Sequence, residues 1–266
     1  MDNNKNVKEI GPSRLSPVIS DLWVSCTKPS AQTQIRLFCF PYAGAGSTIF
    51  NAWSNLLLPE IELYLVHLPG REKRIKEAPY KQLLPLTEKL TEALYRYLDR
   101  PFAFFGHSMG ALVSFEVVRQ LRSRFSLNPV RLIVSGKHPP HVPDPHPDIH
   151  HLPDDELITE SERLYGSLPK IISEDLEVLK FFLPIMRADF TLVETYQYLP
   201  AAPLECPITV FGGDQDNSVS GNELSRWSEQ TVAGFNLKMF PGNHFFIQDN
   251  RGALVQEIKK ELILRS

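Results

Sequence analysis

The sequence predicts an α/β fold: a mostly parallel, twisted sheet flanked by helices. Two observations carry this prediction. Short β-rich apolar runs alternate with segments of helical periodicity. The runs are also largely apolar at both parities, as expected for strands covered on both faces of a parallel sheet. At 266 residues, 42% of them hydrophobic, the chain is long enough for one or two domains and a sizeable core.

Taken in order, residues 1–33 lack periodicity and run into a polar stretch from Lys28 to Gln34. They read as a leader segment, poorly ordered in part, ahead of a single domain over residues 34–266. Strands are predicted at Ile35–Phe40, Ile61–His67, Phe102–Phe105, Val130–Ser135, Ile208–Phe211 and Phe235–Phe240. Helices are predicted at Leu83–Leu98, Met109–Arg124, Gly221–Thr231 and Arg251–Leu264. In the second of these, Val113, Val117 and Leu121 fall at i, i+4 and i+8 and make one buried stripe. Strand–helix alternation implies right-handed crossovers. It breaks once, over about 138–200, where six prolines fall between Pro139 and Pro153. Helical patterns follow at Asp154–Tyr165 and Ser173–Tyr198, and Pro184 should kink or split the latter. An insertion of this size between two strands is most simply a helical lid over the carboxyl edge of the sheet.

Composition removes several functional classes. Lys plus Arg is 28 and Asp plus Glu 31, a net charge of −3, which lacks the basic excess of a nucleic-acid binder. No run reaches the roughly 18 apolar residues of a membrane span, and the polar start has no signal-peptide core. Cys26, Cys39 and Cys206 are odd in number and lack C-x-x-C spacing, so neither disulfides nor zinc are expected and a cytoplasmic location fits. A monomer is the expected state.

The chemical signal is Gly106-His107-Ser108-Met109-Gly110. It follows an apolar strand and opens an amphipathic helix, the context of a nucleophile elbow. The glycines leave room for the helix to pack close to the strand, exposing the serine hydroxyl beside the free N–H groups of the helix start. A serine needs a general base and a group to orient it. In this arrangement the chain order is Ser, then Asp or Glu, then His. His244 follows the last predicted strand in Pro241-Gly-Asn-His-Phe-Phe246 and is the base candidate. Asp214 and Asp216 both follow Gly212-Gly213, and Asp216 is favoured for its greater reach past the strand end. The oxyanion donors are assigned to the backbone N–H groups of Met109 and Ala43, with Tyr42 the alternative to Ala43, in the turn Pro41–Gly46.

Other polar groups invite less chemistry. His138, His141, His146, His150 and His151 cluster among prolines that forbid a regular helix, and a solvated loop is expected rather than a metal site. Arg71, Lys73, Arg74 and Lys76 are interleaved with Glu72 and Glu77 and read as a solvated face, with a weak contact to an acidic partner protein as the alternative.

Several segments together resemble one family. They include Leu37-Phe-Cys-Phe-Pro-Tyr-Ala-Gly-Ala-Gly46, Leu68-Pro-Gly-Arg-Glu72, Gly106-His-Ser-Met-Gly-Ala111 and Ser135-Gly-Lys-His-Pro-Pro140. Leu152-Pro-Asp-Asp155, Leu183-Pro-Ile-Met-Arg-Ala-Asp-Phe190, Cys206-Pro-Ile and Pro241-Gly-Asn-His-Phe-Phe246 complete the set. From about Trp23 onward the chain resembles the type II, editing thioesterases that accompany polyketide and non-ribosomal peptide synthases. It departs at Gly44-Ala45-Gly46, where many relatives have adjacent glycines. The resemblance implies an α/β-hydrolase fold with Ser108, Asp216 and His244 as triad. It also implies a helical lid and acyl thioesters on the phosphopantetheine arm of a carrier-protein domain as substrate, with no metal or diffusible cofactor. A free-standing esterase or acyl-CoA thioesterase is the alternative, and a non-catalytic binding module of the same fold the third reading.

Overall fold

The computed structural model describes residues 19–166 and 175–263. Eight strands form one sheet in the order β1-β2-β4-β3-β5-β6-β7-β8. They are β1 Ile19–Ser20, β2 Val24–Cys26, β3 Ile35–Phe40, β4 Ile61–Val66, β5 Phe102–His107, β6 Arg131–Ser135, β7 Ile208–Gly213 and β8 Phe235–Phe240. From β4 through β8 all neighbours pair in parallel. The central strands are buried along their whole length. The two parities serve two cores: Phe38 and Phe40 of β3 face one apolar cluster, Leu37 and Cys39 the other.

Eight α-helices are described: α1 Ser54–Leu57, α2 Leu83–Tyr95, α3 Met109–Phe125, α4 Asp154–Tyr165, α5 Leu176–Glu194, α6 Gly221–Ser225, α7 Phe246–Asp249 and α8 Arg251–Ile263. Helices α2 and α3 bury Leu90, Leu94, Val113 and Val117 with the first cluster. Helix α8 closes the second with Leu254 and Ile258, beside Phe50 and Trp53 of a 3₁₀ turn at Ser47–Trp53.

Four sequence expectations change. Within residues 19–26, expected in the leader, Ile19–Ser20 and Val24–Cys26 instead form β1 and β2; β2 pairs antiparallel with β4 and β1 antiparallel with β2. Strands of two and three residues give too little alternation to read, and the β4 partner of β2 lies some forty positions away. The helix expected at Gly221–Thr231 is α6 followed by a 3₁₀ turn at Arg226–Gln230. Strand β8 is an edge strand, half-exposed rather than covered on both faces. Helix α5 runs through Pro184 as one element, because Leu183, Met186 and Phe190 are held in an apolar cluster with Ile149 and Leu157. Its expected start at Ser173 and the expected end of the last helix at Leu264 fall outside the described residues. Between β6 and β7 the described residues contain no strand, only the Pro/His-rich loop, α4, α5 and the approach to β7.

Candidate active site

Between the last residue of β5 and the first of α3 stands Ser108 alone, at φ 53° and ψ −118°. A positive φ is costly for any residue with a Cβ and persists only where the surroundings enforce it. Here they do: the Ser108 N–H donates to the Ser135 carbonyl of β6 at 2.7 Å. Gly106 and Gly110 permit the close approach, since a Cβ on Gly106 would lie 2.0 Å from the Gly110 carbonyl oxygen. Met109 opens α3, so its N–H has no intrahelical acceptor.

His244 follows β8 in the loop before α7 and is 2% exposed. Its Nδ1 lies 2.8 Å from Asp216 Oδ2, and Ser108 and His244 line one small cavity of about 40 Å³. Asp214 goes elsewhere: its carboxylate accepts the Gly242 N–H at 2.9 Å and braces the loop carrying His244. The two carboxylates therefore separate by partner, and Asp216 is the one brought to the imidazole. Burial works to raise the Asp216 pKa, but the facing His244 and two hydrogen bonds from Ser218 outweigh it and leave the carboxyl below its usual value. Ala43 and Tyr42 line the same cavity.

Two polar neighbours escaped the sequence reading. Ser218 Oγ donates to Asp216 Oδ1 at 2.7 Å and lies 3.0 Å from His244 Nδ1. The signal was an Asp-x-Ser turn. His107 lies beneath His244, ring centroids 4.9 Å apart, with Nδ1 2.9 Å from Ser135 Oγ. Burial, then the neighbouring His244, hold its pKa well below the ordinary histidine value. From the insertion, Tyr165 packs on His244 at 4.8 Å and stacks with Phe190 at 5.8 Å. Behind this aromatic pair lies a larger cavity of about 190 Å³, lined by Leu112, Val142, Leu164 and Val193 together with Lys137 and Asp144.

The basic run is not a solvated face throughout. Lys73 and Lys76 are exposed, but Arg71 and Arg74 are buried. Arg71 makes a two-pronged ion pair with Asp189 of α5, at 2.7 and 2.8 Å. Arg74 lies over the Trp23 ring, 3.8 Å from its centroid, and pairs with Glu77. Glu72 turns inward to accept from Ser47 Oγ and the Thr48 N–H, each at 2.9 Å, and to meet His67. Burial favours its neutral form, yet these donors prevail and bring the pKa from 4.5 down to about 2.

This shift has a sign. Between those two values the unfolded chain binds a proton at residue 72 that the folded chain refuses, so stability is present above the window and lost as pH falls through it. The melting temperature of the wild type is therefore expected to drop more steeply from pH 4.5 toward about 2 than that of Glu72→Gln. Parallel slopes in thermal scans would show that the network gives Glu72 no such role.

The histidine cluster is also more engaged than a solvated loop. His138 is buried against Asp144, His141 meets Glu229 and Gln230, and His150 meets Glu194. Asp148, His150 and Glu194 converge within 4.8 Å. Glu194 Oε2 already accepts the N–H groups of Ile149 and His150 and meets the His150 ring. That arrangement suits a loop anchor.

A family model described as "Thioesterase domain" matches residues 35–262. The chain is 42% identical over 242 residues to the gramicidin S biosynthesis protein GrsT of Aneurinibacillus migulanus, covering 91% of this chain and 94% of that one. It is 34% identical over 250 residues to thioesterase PikA5 of Streptomyces venezuelae, covering 93% and 88%. Among solved structures, the type II thioesterase BorB from the borrelidin biosynthetic cluster superposes with a TM-score of 0.84 at 34% identity, over 92% of this chain and 99% of that one.

Proposed function

Because the chain belongs to the thioesterase family, we propose that it removes acyl groups from the phosphopantetheine arm of carrier-protein domains in polyketide or non-ribosomal peptide synthesis, with Ser108, Asp216 and His244 as its triad. It is an α/β-hydrolase and a thioester hydrolase of the serine type. The observation that carries the triad is the Asp216–His244 contact at 2.8 Å beside a cavity shared with Ser108.

In this reading Asp216 holds the proton of His244 on Nδ1, leaving Nε2 to take the Ser108 proton as the hydroxyl attacks the thioester carbonyl. The N–H groups of Met109 and Ala43 bind the tetrahedral oxyanion, helped by the dipole of α3. A thiolate departs readily, its conjugate acid being far stronger than an alcohol, and takes the proton from His244 Nε2. Water, with His244 again as base, then releases the acyl group from Ser108. Besides substrate and water, these steps use only side chains and backbone of this chain.

The region from about 138 to 200 acts as the lid. The cavity at Ser108 holds roughly three waters at some 10–15 Å³ each, too few for a pantetheine arm. Substrate entry therefore requires the insertion to move. The larger cavity behind Tyr165 and Phe190 is the acyl pocket, and its size suits short acyl groups. GrsT is a gramicidin S biosynthesis protein and BorB a type II thioesterase; their likeness to this chain supports the carrier-borne substrate.

Acetyl, aminoacyl and palmitoyl groups on a carrier domain, with the same acyl groups on coenzyme A and as p-nitrophenyl esters, provide the test. Short carrier-borne groups are expected to be hydrolysed at least about tenfold faster than palmitoyl. A preference for oxygen esters over every thioester would replace this reading with that of a free-standing esterase.

A further inference from the structure

We propose that Asp189 of α5 is a positioning residue for hydrolysis, fixing from the insertion the loop whose Ala43 N–H is assigned to the oxyanion. The proposal rests on the reading above and adds a residue to it. The sequence segments Pro-Gly-Arg-Glu and Arg-Ala-Asp-Phe, 118 positions apart at Arg71 and Asp189, meet here.

Asp189 is 2% exposed and its carboxylate has three donors. Arg71 gives one N–H to each oxygen, and the Gly44 N–H reaches Oδ2 at 2.7 Å. Arg71 also donates to the Ala45 carbonyl at 3.1 Å. The loop itself is a turn closed by Ala45 N–H on the Tyr42 carbonyl, with Gly44 at φ 77°.

A turn with positive φ at its third residue differs from the commoner form by a half-rotation of its middle peptide. Here that peptide joins Ala43 to Gly44. In the observed form its N–H points at Asp189. In the rotated form the Ala43 carbonyl oxygen would face the carboxylate, acceptor against acceptor, in a buried site where such a contact is costly. Asp189 thus selects one of two backbone forms next to the Ala43 N–H. Arg71 pairs with both carboxylate oxygens. The contact does two separable things: it clamps α5 to the body of the protein, and it sets the loop.

Two conservative variants separate these roles. Arg71→Lys weakens the two-pronged pair but leaves the Asp189 carboxylate as acceptor for the Gly44 N–H. Asp189→Asn keeps the shape but weakens both the pair and the acceptor. On an acyl-carrier thioester, Asp189→Asn is expected to lose about 10- to 100-fold in kcat, with KM within about threefold of wild type. Arg71→Lys is expected to stay within about threefold in kcat, although both variants melt earlier. Equal kcat losses in the two, or an unchanged kcat in Asp189→Asn, would reduce the contact to a clamp and overturn the proposal.

Labelling of Ser108 by a fluorophosphonate, which uses the same oxyanion site and no thioester, is read in parallel and should slow only in Asp189→Asn. A wild type that labels but leaves carrier thioesters intact would refute the substrate assignment, and the labelling rates would then decide the role of Asp189.

Discussion

Ser108→Ala is expected to lower hydrolysis of an acyl-carrier thioester by about 10⁴- to 10⁶-fold while the melting temperature and circular dichroism stay close to wild type. The size of the loss follows from the nucleophilic role proposed for Ser108. Without the hydroxyl no acyl-enzyme can form, and the oxyanion donors and His244 are left to assist direct attack by water alone. The fold should tolerate the change because alanine keeps the Cβ, and the backbone bond from residue 108 to the Ser135 carbonyl does not involve the side chain. Residual turnover within about tenfold of wild type, in protein freed of contaminating hydrolase, would remove Ser108 from the mechanism and the triad with it.

Gly106→Ala should act through the fold and then the chemistry. A methyl at that position would lie 2.0 Å from the Gly110 carbonyl oxygen and 2.6 Å from the Ala111 nitrogen. Both are backbone atoms, so no side chain can turn away, and α3 must retreat from β5. Overpacking of this kind costs about 3 kcal/mol or more, which in a chain of this size lowers the melting temperature by roughly 6–12 °C. The retreat also displaces the Met109 N–H from the carbonyl it would polarise, and a 1 Å misplacement costs about a hundredfold in rate. Thermal scans and steady-state rates on the same preparation check both effects. A variant as stable and as fast as wild type would mean that the elbow does not need its tight packing.

How far the sequence reveals this molecule depends on the distance over which each feature is determined. The elbow was legible because its sterics are local: strand, Gly-x-Ser-x-Gly and helix occupy one continuous stretch. The parallel strands were legible from apolar runs largely buried on both faces, and the place of His244 after β8 marked it as the candidate base. Asp216 was chosen over Asp214 only on reach. The difference in partners, His244 for one and the Gly242 N–H for the other, arises in three dimensions. Arg71 was misread because a charged run looks solvated until its partner, 118 residues on, is known. The same holds for His150, whose carboxylate partner Glu194 lies 44 residues downstream. Strands β1 and β2 escaped because so few residues carry no period, and the split expected at Pro184 does not occur because tertiary burial outweighed its local cost.

Helix α5 presses Met186 and Phe190 against the serine's cavity and, on the same turns, pairs Asp189 with Arg71. Chimaeras that trade this segment between relatives would consequently exchange turnover together with selectivity. A hybrid taking α5 from one parent needs position 71 from that parent too if the helix is to be clamped to the body as in that parent.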